Sequence, residues 1–274
     1  MTLTGSKLNF KHFPAGPNGF FRAPVLLTGA SEGLLIDGSF TYSQGKALTQ
    51  AIATTGVTLT TIYISQSDPD YYFGLKPIHE AFPRATVLAA STTVAAIKKN
   101  VEKKLAIWGP QLKADGPQSL AELVLPKSFD GVSLSVDGET IEIVPAEGLA
   151  NRRYLYAPSL NAVFGGVLVF AGVHVWVADT PTKKERESWI ANLDRIEARK
   201  PSIVVPGHMT PEASTDVSAV EHTKNYLLAF EEELNKAKDA ASLKTAMLSR
   251  FPSLDMEIAL DIGSKVATGE MMWG

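Results

Sequence analysis

Two groups of short apolar runs, with helical segments between and after them, constrain the fold of this chain most strongly. Each run is bounded by Gly, Pro or polar turn residues, which is the pattern of β-strands. The first group comprises residues 8–13, 20–28, 33–37, 61–64 and 86–90, and the second comprises residues 132–136, 139–144, 153–157, 162–165 and 202–205. Two β-rich groups separated by helices predict a layered α/β fold, with sheets inside and helices outside.

The helical segments are marked by the spacing of their apolar residues. They are predicted over about residues 43–54, 91–106 and 182–199, after the polar stretch 65–74, and over most of the chain beyond residue 206. Ser43 is placed to cap the first helix. Residues 107–128 contain Gly109-Pro110 and Gly116-Pro117, and predict a connecting loop that could close over a site.

The composition indicates a globular protein without an electrostatic footprint for nucleic acid. A chain of 274 residues with 45% hydrophobic residues can bury a substantial core, and a net charge of −3 does not favour binding to nucleic acid or an anionic membrane. No apolar run is long enough to span a bilayer, and residues 1–7 lack the apolar core of a secretory signal. Without cysteine there is no disulfide and no thiolate ligand. We expect a cytoplasmic protein whose partner is a small molecule, and the sequence leaves a homodimer open.

Two polar stretches that follow predicted strands carry the candidate chemistry. SQSDPDYYFG, residues 65–74, follows the strand at 61–64 and contains two carboxylates and two tyrosines. VVPGHM, residues 204–209, ends a strand abruptly at Pro-Gly and presents His208. The first stretch has the rhythm of a metal-binding loop but contains no histidine.

Together with three further stretches, these residues resemble the metallo-β-lactamase family. The resemblance is carried by GLLIDGSF (33–40), SQSDPDYYFG (65–74), LYAPSLNAVFGG (155–166), VVPGHM (204–209) and SKVATGEMMWG (264–274). Their order is similar to that of a hydrolase-like branch of the family with a helical C-terminal extension. The resemblance implies an αββα four-layer sandwich over residues 1–212 and a helical extension over 213–274 packed on the same domain. It also places a site at one edge, where loops from both sheets meet.

Carried over residue by residue, the first half of the family's metal site is mostly absent. The three histidines of the family's H-x-H-x-D-H motif fall at Gln66, Asp68 and Tyr71, and only its aspartate is kept, as Asp70. Oxygen ligands are poor for zinc, and a tyrosine with an ordinary pKa of about 10 is a reluctant ligand.

The second half of the family's metal site is also incomplete. The histidine expected after the middle strands falls near Glu147, and the bridging aspartate falls at Gly166, which has no side chain. The final histidine is kept as His208. The resemblance therefore implies a degenerate member of the family, and we expect neither a dinuclear zinc centre nor another cofactor.

Three interpretations of the polar loop remain. In the first, Asp68 and Asp70 cap the helix that follows. In the second, Asp68, Asp70 and His208, with Glu147 nearby, hold a single hard metal such as Mn, Fe, Mg or Ca. In the third, which we favour, Asp68, Asp70, Tyr71 and His208 form a metal-free acid–base pocket.

The expected function is that of a hydrolase-like enzyme acting on a small organic molecule. The candidate catalytic residues are Asp68, Asp70, Tyr71 and His208, and the candidate substrate-binding residues are Gln66, Glu147 and His174. The alternatives are a non-catalytic ligand-binding or scaffold protein of the same fold and a hydrolase with a single non-zinc metal. An enzyme should keep its polar groups convergent and partly unpaired, whereas a pseudo-enzyme should lock them into caps and ion pairs.

Other polar or large residues are expected to be structural. Asp179 is placed to cap the helix that starts after Pro181. Arg152-Arg153 could meet an anionic substrate, but an exposed loop pair is the expected interpretation. The segment Met271-Met272-Trp273 is expected to pack the last helix against the core.

Overall fold

The first β-rich group forms one mixed sheet. The computed structural model describes residues 8–273, so the expectations for residues 1–7 and for Gly274 lie outside the described part. Within that part the sheet has six strands in chain order: β1 (Asn9–His12), β2 (Val25–Thr28), β3 (Glu32–Ile36), β4 (Thr58–Ile64), β5 (Thr86–Ala89) and β6 (Lys127–Ser128). β1 to β3 pair antiparallel and β3 to β6 pair parallel. Since parallel strands need crossover connections, a helix lies between each parallel pair.

The second β-rich group forms a second sheet. Its strands among residues 8–273 are β7 (Ser133–Val136), β8 (Glu139–Pro145), β9 (Arg153–Ala157), β10 (Ala162–Phe164) and β12 (Ile203–Val205). β7 to β10 form an antiparallel meander, and β12 pairs parallel with β10. A short parallel pair, β11 (Phe170–Ala171) and β13 (His208–Met209), places His208 beside Phe170.

The helices begin and end close to the predicted bounds, with one clear exception. They are α1 (Tyr42–Ala53), α2 (Leu75–Ala81), α3 (Ser91–Leu112), α4 (Lys183–Ala198), α5 (Ser218–Leu234), α6 (Ala240–Arg250) and α7 (Glu257–Ala267). The predicted loop at 107–128 begins too early, because α3 continues through Gly109-Pro110 to Leu112. Trp108 and Leu112 pack against the core, and this tertiary contact outweighs the local break signal. None of the helices in the described range is both long and apolar enough to cross a membrane.

The cap of α1 also differs from the prediction. Thr41 is the N-cap: its hydroxyl accepts from the Gln44 backbone N–H at 3.2 Å, and the Gln44 side chain accepts from the Thr41 N–H. This reciprocal arrangement is a capping box. Ser43 lies within the helix and its hydroxyl donates to Asp115 at 2.6 Å.

The two sheets pack face to face, and helices cover their outer faces, which confirms the expected αββα sandwich. β3 after its first residue and the second half of β4 are buried, and β7 of the second sheet contacts β3. α4 buries Trp189, Leu193 and Ile196, as its apolar spacing predicts. α5 packs against α4, β11 and β12. The division of the chain at residue 212 stays a prediction.

The turn between β7 and β8 ties the edge of the second sheet to the first. Asp137 and Gly138 both have positive φ, as a tight hairpin turn requires. The Asp137 carboxylate accepts from the Ser31 N–H at 2.9 Å, the Ser31 hydroxyl at 2.6 Å and the Glu32 N–H at 3.0 Å. One side chain therefore satisfies three donors at the start of β3.

Candidate functional site

A pocket of about 480 Å³, part of it open to solvent, lies at the edge of the sandwich where loops from both sheets meet. Its lining contains three carboxylates, which come from two loops: Asp68, Asp70 and Asp179. The other polar lining residues are Tyr71, His208 and Lys104. Its aromatic walls are Phe20, Phe40, Trp108, Trp176 and Trp273. A concave pocket with apolar walls and a few convergent polar groups is typical of a small-molecule site.

The loop at 65–74 is held in place by a buried aspartate of the preceding Asp-Gly turn. Asp37 accepts from the Ser65 N–H at 2.6 Å and from the Ser65 hydroxyl at 2.8 Å. The chain then makes a 3₁₀ turn over Pro69–Tyr71 before α2 begins at Leu75. Neither carboxylate of the loop makes a side-chain cap to a helix, so the capping interpretation does not describe this structure.

His208 lies at the centre of the polar cluster. Its Nδ1 lies 2.7 Å from the Phe20 carbonyl oxygen, which can only accept, so Nδ1 carries the proton. In the neutral ring Nε2 is therefore an acceptor. Nε2 lies 3.2 Å from the Tyr71 hydroxyl, which donates to it, and 3.6 Å from Asp70 Oδ2. The ring stacks on Phe170 with its centroid 4.9 Å away.

Burial sets the protonation of this cluster. Burial, reinforced by the Arg22 charge, lowers the pKa of His208 to about 3, although a carboxylate lies beside it. Burial, with the neighbouring Asp68 charge, raises the pKa of Asp70 to about 7. Burial also raises the pKa of Tyr71 well above its ordinary value. At neutral pH the cluster therefore contains a neutral imidazole, a neutral phenol and a carboxyl group near its midpoint.

Arg22 places a fixed positive charge behind this cluster. Its guanidinium is fully buried, forms an ion pair with Asp37 and donates to the Gly207 carbonyl oxygen. It lies over the Tyr71 ring, 3.9 Å from the ring centroid. It thereby joins the Asp-Gly turn, the polar loop and the Pro-Gly-His turn.

Comparison with solved structures finds the same architecture in metallo-β-lactamases. A metallo-beta-lactamase family protein from Thermus thermophilus aligns with a TM-score of 0.64 at 20% identity, covering 96% of this chain and 91% of that chain. The chain has the metallo-β-lactamase fold. A metallo-beta-lactamase from Pontibacter korlensis aligns with a TM-score of 0.58 at 18% identity, covering 82% of this chain and 96% of that one. No protein-family model and no curated protein matches the chain.

The metallo-β-lactamase fold implies a metal at this edge, but the residues present do not fit a dinuclear zinc centre. Among residues 8–273, no group of three or more His, Cys, Asp or Glu side chains is arranged to hold a metal ion. Asp68 is paired with Lys104 at 3.2 Å, and Arg22 adds a positive charge. The same donor set gives no support to a single hard metal on Asp68, Asp70 and His208.

The backbone also excludes a bridging carboxylate at position 166. Gly166 has a φ of 51°, and a Cβ there would lie 2.8 Å from the Arg153 carbonyl oxygen. A Cβ on Gly207 would lie 1.8 Å from the Gly166 carbonyl oxygen. Both positions therefore need glycine, because the two turns meet backbone against backbone.

All three expected substrate-binding residues, Gln66, Glu147 and His174, lie outside the pocket lining. The Glu147 side chain is 77% exposed and pairs with Arg195, because its loop turns towards α4. Gln66 is buried and its Oε1 accepts from the Ser67 N–H at 2.6 Å. His174 is buried under α5, where its Nδ1 lies 3.0 Å from the Tyr226 hydroxyl. The structure does not bring these three residues into the pocket, and their role in substrate binding stays a prediction.

Several pocket residues were expected to be only structural. α7 ends at Ala267, so Met271–Trp273 does not belong to it, and Met272 is 99% exposed. Trp273 lines the pocket, and its Nε1–H donates to Asp179 Oδ1 at 2.7 Å. α4 is capped by Thr182 rather than by Asp179.

Arg152 and Arg153 differ from their expected exposed position as well, because both are buried. The Arg152 guanidinium lies 4.2 Å from the Trp189 ring centroid and 3.8 Å from Asp179 Oδ2, and Arg153 donates to the Thr93 hydroxyl at 2.6 Å. In the sequence, the only sign of a role for Arg152 and Asp179 is that each is a polar residue close to aromatic residues. That signal is too common to identify a site.

Proposed function

We propose that the protein is a hydrolase-like enzyme that uses acid–base chemistry on a small organic molecule bound in this pocket. The observation that supports the proposal most is the convergence of Tyr71 and Asp70 on one nitrogen of His208, at 3.2 and 3.6 Å. Such convergence, with a buried carboxyl oxygen that has no hydrogen-bond partner within residues 8–273, is typical of a working site.

Asp70 is the residue suited to move a proton. A carboxyl group with a pKa of about 7 is present in both forms at neutral pH, so it can accept a proton from a bound ligand or water and return it. His208 is too weak a base for this step, because burial keeps its pKa near 3. Its unprotonated Nε2 instead accepts from Tyr71 and fixes the phenol beside Asp70.

A second candidate is a ligand-binding protein without catalysis. Two of the three lining carboxylates are engaged: Asp68 with Lys104 at 3.2 Å and Asp179 with the Trp273 indole at 2.7 Å. Groups locked in this way favour recognition over chemistry. Among residues 8–273, Asp70 Oδ2 and Asp179 Oδ2 are both unpaired, but only Asp70 of the three makes no ion pair with Lys or Arg.

Turnover of a panel of small esters, lactones, amides and phosphoesters distinguishes the two. We expect Asp70→Asn to lower kcat by ~10²–10⁴-fold on any substrate that is turned over, and Tyr71→Phe to lower it less. Glu147→Gln is the matched control, because Glu147 lies outside the pocket, and it should leave turnover unchanged. Wild-type rates for Asp70→Asn contradict the acid–base proposal. Ligand binding without turnover of any compound supports the binding protein.

A further inference from the structure

The aromatic walls of the pocket form a box with an unusual balance of charge. Phe20 contacts Phe40 and Trp108 edge to face, with ring centroids 5.1 and 5.3 Å apart. Trp176 and Trp273 form the other wall, with centroids 5.4 Å apart. The lining carries three carboxylates and one ammonium group, and the guanidiniums of Arg22 and Arg152 lie behind it, paired with Asp37 and Asp179. Aromatic faces beside carboxylates favour a positively charged guest.

Unmet hydrogen-bonding capacity at the pocket lies on acceptors and on donors: among residues 8–273, Asp70 Oδ2 and Asp179 Oδ2 are unpaired, and so are Nη1 and Nη2 of Arg152 behind Asp179. Asp68 has Lys104, and Asp179 has Trp273 with Arg152 behind it. Asp70 is 9% exposed, and its Oδ2 is unpaired among residues 8–273. The only basic side chain within 4.0 Å of its carboxylate in that range is His208, which is neutral. A ligand group that completes the Asp70 side of the pocket must bring a donor or positive charge.

Lys104 shows that the pocket accommodates an ammonium group. Its Nζ lies 4.9 Å from the Trp273 ring centroid and 3.2 Å from Asp68 Oδ1. The pocket therefore already contains one example of the contact that a cationic ligand would repeat at Asp70.

We propose that this pocket takes an organic cation, with its ammonium group against Asp70 and its carbon skeleton packed among Phe20, Trp108 and Trp176. The inference rests on the proposed function, since it names the substrate class of the same site. The ligand is a small amine that carries an apolar or aromatic group. Cation–π contact and the charge of Asp70 act together on the same group.

A series with one carbon skeleton and three charges tests the ligand class. The full chain is titrated with 2-phenylethylammonium, 2-phenylethanol and phenylacetate at constant ionic strength, by calorimetry and by tryptophan fluorescence. We expect the ammonium compound to bind about tenfold or more tightly than the alcohol, and phenylacetate to bind least. Asp70→Asn should lower the affinity for the ammonium compound to that for the alcohol. Glu147→Gln, which removes the same charge outside the pocket, should not.

A second variant covers the case in which Asp70→Asn does not fold. Trp176→Leu removes one aromatic face and should reduce the preference for the ammonium compound while keeping the affinity for the alcohol. Equal or tighter binding of the alcohol or phenylacetate overturns the ligand class, and so does the absence of binding by all three. Neither result touches the acid–base proposal, which is judged by turnover in the Asp70 and Tyr71 variants. Unchanged turnover in those variants, in turn, leaves a measured preference for the cation standing.

Discussion

Arg22 and Asp37 show how single residues hold this edge of the molecule together. Both side chains are 1% exposed, and the pair contacts three separate turns through Ser65, Gly207 and the Tyr71 ring. An ion pair in such surroundings is held by its hydrogen bonds rather than by net electrostatic gain, because burial costs both charges their hydration.

Removing one partner should therefore cost more than removing both charges. We expect Arg22→Met to lower the free energy of unfolding by about 3–5 kcal/mol, because it leaves the Asp37 carboxylate buried without its cation. Arg22→Met combined with Asp37→Asn should recover part of this loss. Urea denaturation of the single and double variants measures the difference. A loss below about 1 kcal/mol in the single variant would show that the pair is not structurally important.

His174 should make the protein sensitive to acid. Burial lowers the pKa of His174 to about 4, whereas in the unfolded chain it is near 6.5. The unfolded chain therefore binds more protons between these values, so the contribution of neutral His174 is fully present above about pH 6.5 and is lost as the pH falls towards 4.

The corresponding variant isolates this effect from other titrating groups. Asp70 and Asp179, whose pKa values are raised, act in the opposite direction over the same range. Between about pH 7 and pH 4, we expect the free energy of unfolding of His174→Gln to fall by up to about 3 kcal/mol less than that of the wild type. Parallel stability–pH curves for the two proteins would be inconsistent with a histidine kept neutral by burial.

At the scale of elements, the β7–β8 hairpin depends on its turn. Hydrogen bonds from Ser31 and Glu32 lower the pKa of Asp137 to about 2. Since the folded-state pKa is depressed, the stabilisation is present above about pH 4 and is lost as the pH falls towards 2.

The expected effect of removing this carboxylate is local. Asp137→Ala should lower Tm by a few degrees at neutral pH, because three donors at the start of β3 lose their acceptor. The variant should also lose less stability than the wild type as the pH falls below about 4. Glu139→Ala, on the same hairpin, is the control. Equal Tm values for the two variants would argue against the tie between the sheets.

The elements themselves could be predicted far better than the site. Strands β7 to β10 and helix α4 were predicted within one or two residues, because their apolar periodicity agrees with their burial. The end of α3 could not be predicted, since Gly109-Pro110 is a break signal that only the packing of Trp108 and Leu112 overrides. The aromatic wall of the pocket depends on that last turn.

For the whole molecule, the sequence predicted that the stretches 65–74 and 204–209 meet at one site, but it did not predict the other residues of that site. Asp68, Asp70, Tyr71 and His208 do line one pocket, as the order of the landmark stretches implies. Arg22 was missed because it belongs to no landmark stretch, and Trp273, although it lies in the last one, was expected to pack the last helix. Both reach the site only through long-range packing. Glu147 was expected near the site because it aligns with a histidine ligand of the family. In this structure its side chain instead pairs with Arg195 on the surface.

The expected absence of zinc can be tested on the whole molecule. In this chain protein groups join the two halves, because the Arg22 guanidinium pairs with Asp37 after β3 and donates to the Gly207 carbonyl oxygen after β12. We expect that a chelator leaves Tm unchanged and that elemental analysis finds less than one zinc ion per chain. A Tm lowered by several degrees, or about two zinc ions per chain, would show that the donor set binds metal after all.

The meeting of Gly166 and Gly207 has a consequence for protein engineering. A catalytic metal centre is commonly transplanted by swapping side chains on an existing scaffold, and this scaffold shares the architecture of metallo-β-lactamases. Here point substitutions alone cannot complete the transplant, since a side chain at 166 would collide with the Arg153 carbonyl and one at 207 with the Gly166 carbonyl. Directed evolution towards a metalloenzyme would have to begin by inserting or deleting residues in these two turns, and only then select ligands.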